Sequence, residues 1–67
     1  MIHFTVNGTA QSHTGPLAVS QLLDRMALTG KKVAVERNGE IVPRAAHGST
    51  WLTEGDRLEI VVAVGGG

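Results

Sequence analysis

The chain has 67 residues, six basic and six acidic side chains, a formal net charge of zero and no cysteine. That is room for one small domain with a thin core, since at this size folding buries only roughly 60% of the surface the unfolded chain exposes. Interspersed charges argue against the clustered cations of a nucleic-acid footprint, and the lack of cysteine excludes disulfides, thiolate nucleophiles and cysteine-held zinc or iron–sulfur centres.

"MIHFTVNGTAQSH" opens with Ile2, Phe4 and Val6 on one face and His3 and Thr5 on the other, the alternation of a strand with one wet face. Asn7-Gly8 offers the two positive-φ positions of a type I′ hairpin turn, and "TAQSH" reads as a polar return strand at an edge. After Gly15-Pro16 the period changes. Val19, Leu22, Leu23 and Met26 fall at helical spacing, which predicts a helix over 19–28, with Asp24 and Arg25 facing water and a stop near Gly30. Its start lacks a capping hydroxyl or carboxylate at Ala18. Lys32 to Arg37 forms a further strand, Asn38-Gly39 a turn, and Glu40 to Val42 a short return that Pro43 confines to an edge. "RAAHGST" reads as a helical turn or loop, Glu54-Gly55-Asp56 as a turn, and Arg57 to Val64 as the longest strand.

In that last strand Leu58, Ile60, Val62 and Val64 share one face, and Glu59, Val61 and Ala63 the other. The resulting order, β-β-α-β-β-β, predicts an α+β fold: a mixed five-stranded sheet with one main helix on one face. The last strand, apolar on both sides near its end, fits the centre of that sheet, parallel to the first. This is a β-grasp arrangement. Residues 1–64 are expected to form the domain and 65–67 a flexible tail.

The chemical inventory is sparse. His3, His13 and His47 lie on different elements without the paired spacing of a metal site and read as surface histidines. No nucleophile, base and acid are arranged for catalysis, so an enzyme is not expected. The chain begins directly on a strand pattern, without a basic segment and apolar core in succession, and no apolar run would span a bilayer; a cytoplasmic protein with no membrane partner is expected.

Gly65-Gly66-Gly67 is not a phosphate loop, since no helix follows it. It reads either as a frayed end or as a thread about 10 Å long, thin enough for a narrow slot. The α-carboxyl of Gly67 would be ionised at neutral pH, and a carboxylate can attack the α-phosphorus of ATP. Val61 and Ala63 beside this tail suit docking on a partner, or else burial under the 43–53 connection. Trp51 reads as a lid over the core edge near Leu52, or as a partner contact. Arg44 fits a salt bridge or a surface anchor.

"VNG" at 6–8, "VSQLL" at 19–23, "KVAVERNGEIVPR" at 32–44, His47 and "EGDRLEIVVAVGGG" at 54–67 together resemble the ThiS family of sulfur carriers over essentially the whole chain. The resemblance implies a ubiquitin-like β-grasp without catalytic residues of its own. A ThiF-like adenylyltransferase, consuming ATP and magnesium, would adenylate Gly67. A cysteine-desulfurase relay would then make the thiocarboxylate, and thiazole synthase (ThiG) would take the sulfur for thiamin, with Gly65 and Gly66 as the limb entering each active site. A MoaD-like carrier for molybdopterin is the nearest alternative, and a ubiquitin-like binding module or modifier the next.

Overall fold

In the computed structural model, which describes residues 1–63, two hairpins, one helix and a closing strand build a single mixed sheet. The elements are β1 (Ile2–Val6), β2 (Thr9–His13), α1 (Val19–Arg25), β3 (Val33–Arg37), β4 (Glu40–Val42), a 3₁₀ turn (Arg44–Ala46) and β5 (Asp56–Val62). Their order across the sheet is β2-β1-β5-β3-β4. β5 lies at the centre, parallel to β1 with Val6 opposite Leu58, and antiparallel to β3 with Val35 opposite Ile60. The α+β class, the element order and the central parallel pair are those expected from the pattern. No described helix is long and apolar enough to cross a membrane.

Both hairpins turn on Asn-Gly. Asn7 and Asn38 have φ near +50°, and Gly8 and Gly39 lie above +80°, as type I′ turns demand. The asparagine side chains do a second job. Asn7 Oδ1 accepts from the Ile60 N–H at 2.8 Å and its Nδ2 donates to the Ile60 carbonyl at 3.0 Å, so one side chain extends the β1 ladder along β5. Asn38 Oδ1 accepts from the Arg57 N–H at 2.9 Å on the opposite flank. The two turns thereby clamp β5 from both sides.

The helix is shorter than expected, Val19–Arg25 in place of 19–28. It ends at Ala27, whose φ is +60°. The Leu28 N–H reaches the Leu23 carbonyl at 2.8 Å and the Ala27 N–H the Asp24 carbonyl at 3.0 Å, which together form a Schellman stop. Gly30, also at positive φ, belongs instead to the following turn, closed by Lys31 N–H on the Leu28 carbonyl. An L-residue in the left-handed region costs about 1–2 kcal/mol. Ala27→Gly should therefore raise stability by about 1 kcal/mol, read as a higher urea midpoint with unchanged slope; an unchanged or lower midpoint would refute the assignment.

Ala18 indeed lacks a side-chain cap, and the first helical amides are satisfied from elsewhere. Val19 N–H bonds the Thr50 carbonyl and Ser20 N–H the His47 carbonyl, each at 2.9 Å. Gln21 Oε1 accepts from the Ala18 N–H at 2.9 Å, half of a capping box whose return bond alanine cannot make. The 44–50 connection thus works as the cap.

His47, expected at the surface, is buried at 8% exposure. Its Nε2 lies 3.2 Å from the Val42 carbonyl; a carbonyl only accepts, so Nε2 carries the proton. His47 pins the connection to β4 with its ring and to α1 with its carbonyl. Around it the core gathers Phe4, Val6, Val19, Leu22, Val35 and Leu58, among others, between helix and sheet.

Three strand boundaries differ from expectation. β3 begins at Val33, whose partner Val62 ends the ladder and with it β5, ahead of the expected Val64, and Asp56 belongs to β5 rather than to the preceding turn because it pairs with Phe4. Among the described residues Asp56 is the buried carboxylate, 4% exposed. It accepts from Arg37 Nε at 2.8 Å, from the Thr53 N–H at 2.8 Å, and from Asn38 Nδ2 and the Thr53 hydroxyl at 3.0 Å. Burial opposes its ionisation, but these donors outweigh burial and hold the carboxyl below its ordinary value.

Candidate functional site

The sheet delivers β5 to a sparsely covered corner. On one flank the β1 pairing stops at Val6 opposite Leu58, and the Asn7 side chain covers Ile60. On the other flank the last bonded pair is Val33 with Val62, after which the Ala63 N–H donates to the Lys32 carbonyl at 2.8 Å. Among the described residues, β5 past Ile60 therefore has a neighbouring strand on one side only. Val64 and the candidate residues Gly65, Gly66 and Gly67 lie outside the described residues.

Next to this corner the sheet face away from the helix is open. Val61 is 64% exposed and Ile41 66%; Ala34, opposite Val61, and Ala63 are exposed as well. The alternative of burial under the 43–53 connection does not hold for Val61 and Ala63. Being central in the sheet and apolar on both faces did not mean being buried on both. The same face sets Glu36 directly opposite Glu59, a like-charge pair that works against the fold, and Arg57 makes no ion pair with a described residue. A surface with exposed aliphatics and an unrelieved charge pair is poorly optimised for an isolated domain and well suited to being covered.

The remaining candidates lie elsewhere. Trp51 is half exposed and joined to Ala18 at the helix start by one antiparallel bridge. The lid position near the core edge is filled instead by Leu52, buried and bonded through its N–H to the Leu17 carbonyl at 2.9 Å. Arg44, with no ion pair to a described residue, lines a cleft of about 260 Å³ between the helix end and the 3₁₀ turn. The structure thus brings Val61 and Ala63 together on one face with Ile41, which the sequence reading missed; the only signal for Ile41 was its outward position in a three-residue strand. Among the described residues no three histidine or acidic side chains are grouped to hold a metal ion.

The pattern matching the ThiS family covers residues 4–67, nearly the whole chain and its last glycine. The chain belongs to the ThiS family. The crystal structure of a thiamine biosynthesis protein (ThiS) from Geobacter metallireducens superposes with a TM-score of 0.81 at 35% identity, over 98% of this chain and all of that one. Its NMR structure gives 0.78 at the same identity, over 98% of this chain and 88% of that one.

Among sequence relatives, a thiazole synthase of Paramagnetospirillum magneticum is 40% identical over 62 residues, 92% of this chain and 19% of that protein. The chain therefore spans about a fifth of that relative. An uncharacterized protein, ycf40, of Pyropia yezoensis is 33% identical over 98% of this chain and 93% of its own length.

Proposed function

We propose that this member of the ThiS family carries sulfur as a thiocarboxylate on Gly67 and is itself a substrate of larger enzymes rather than a catalyst. The observation that supports this most is the family match running through to Gly67, on a fold whose central strand, β5, is the last described element. In this reading a carboxylate oxygen of Gly67 attacks the α-phosphorus of ATP within a ThiF-like adenylyltransferase, and magnesium pyrophosphate leaves. The outer sulfur of a persulfide supplied through a desulfurase relay then attacks the acyl carbon and expels AMP, and a thiol reductant cleaves the resulting acyl disulfide, leaving the thiocarboxylate on Gly67 and a disulfide as the oxidised product. Thiazole synthase takes the sulfur from the thiocarboxylate. Gly65 and Gly66 carry no Cβ, so the limb can enter a channel that would exclude other residues.

The open face around Val61 is the docking surface for the activating enzyme, and it remains outside the core so that it can be covered. The test is pyrophosphate exchange: labelled pyrophosphate should enter ATP only when this chain is added to a ThiF-like enzyme. Exchange independent of the chain would refute the reading. Val61→Asp should stay folded, losing about 1 kcal/mol from reduced strand preference, while its exchange at limiting carrier falls about tenfold or more. If the variant instead unfolds, Val61 is part of the core and the surface assignment is wrong.

A further inference from the structure

The cleft that holds Arg44 has no part in the reading above. Leu23, Leu28 and Val33 give it apolar lining, His47 stands in its wall, and Lys31 and Arg44 are its two cations. Leu23 is buried, whereas Leu28 and Val33 stay partly open although packed against the core. Among the described residues no acidic side chain lines the cleft, and neither cation makes an ion pair with a described residue.

The walls are also fixed in advance. Leu28 is held to Leu23 by the helix stop, Lys31 to Leu28 by the next turn, and His47 to Arg44 through its N–H at 3.1 Å. A site whose walls are already ordered binds without that ordering cost.

Its position adds a constraint. Lys31 and Val33 flank Lys32, whose carbonyl receives the Ala63 N–H, so an occupant of the cleft sits at the root of the chain end. We infer that this cleft docks a segment of thiazole synthase bearing a large apolar side chain next to a carboxylate: the apolar group enters between Leu28 and Val33 and the carboxylate meets Lys31 and Arg44. The inference rests on the carrier reading and adds a second docking point to it, separate from the Val61 face. The choice of the synthase follows from two relatives named thiazole synthase, from Paramagnetospirillum magneticum and Magnetococcus marinus, each of which contains a stretch matching 92% of this chain within one polypeptide. In such a polypeptide the carrier-like stretch stays permanently beside the rest of the protein, where a complementary surface would be retained.

The test is titration calorimetry of the full chain against its cognate thiazole synthase, comparing the unaltered protein with Lys31→Glu/Arg44→Glu. Both residues are exposed, and circular dichroism checks that the variant is folded. The expected result is a dissociation constant weakened at least about tenfold, with a flatter dependence on salt, while pyrophosphate exchange with the ThiF-like enzyme is retained. Synthase affinity within about twofold of the unaltered chain overturns the inference. So does a loss confined to pyrophosphate exchange, which would give the cleft to the activating enzyme. Amide shifts at Leu28 and Lys31 that move with protein concentration, or on deletion of residues 65–67, would assign the cleft to a second copy or to the chain's own end, and likewise overturn it. If the unaltered chain supports no exchange, the carrier reading fails by that measurement, whereas synthase binding is scored without any loading step.

Discussion

Asp56→Ala should leave the domain largely unfolded at room temperature. The carboxylate is buried and receives four hydrogen bonds, from Arg37, Asn38 and, twice, Thr53. Removing one partner of a buried ion pair costs about 3–5 kcal/mol, and Arg37, about one-third exposed, places the loss near the lower end. A single core of this size rarely supplies more than about 3–5 kcal/mol in total. Loss and stability are therefore of the same size, and the folded state gives way. Circular dichroism and amide dispersion would show it; a variant folded with its urea midpoint intact would contradict the network's role.

The same carboxylate sets the response to acid. Its pKa is lower in the folded chain than in the unfolded one, so the stability it contributes is fully present above the unfolded value of about 3.9 and is lost as pH falls from there through the folded value. Between neutral pH and about pH 5 the urea midpoint should not depend on Asp56 ionisation. Below about pH 4 it should fall, and a midpoint that held unchanged through that range would contradict the assignment.

The largest functional effect belongs to the chain end. Adding one residue after Gly67, or replacing Gly66 with valine, should abolish thiocarboxylate formation while leaving the urea midpoint unchanged. The extension removes the acid group from the last glycine, and valine puts a branched side chain into the limb that the proposed function sends through a narrow slot. An extended chain that is still charged with sulfur would show that the reacting group lies elsewhere.

Much of this fold could be read from local pattern because its turns and strands are chemically explicit. Asn7-Gly8 and Asn38-Gly39 announce type I′ turns, and β5 announces the sheet's centre. What escaped the reading depends on atoms far apart in sequence. The helix stops at Ala27 because a Schellman pair of bonds forms there, which no glycine marks. Its start needs no capping side chain because His47 and Thr50 lend carbonyls. His47 is buried because that connection folds onto the helix, and Trp51 faces out because Leu52 takes the inner position. The candidate site divides in the same way: Val61 and Ala63 follow from alternation, whereas Ile41 and the Lys31–Arg44 cleft exist only once β3, β4 and the helix end are assembled.

Everything proposed here for the chain end can be weighed directly. Intact mass spectrometry after incubation with a ThiF-like enzyme, ATP, magnesium and a sulfur donor should show a gain equal to sulfur replacing one oxygen, located on Gly67 by fragmentation. An unchanged mass with a competent enzyme, or a gain located on any other residue, would contradict the account.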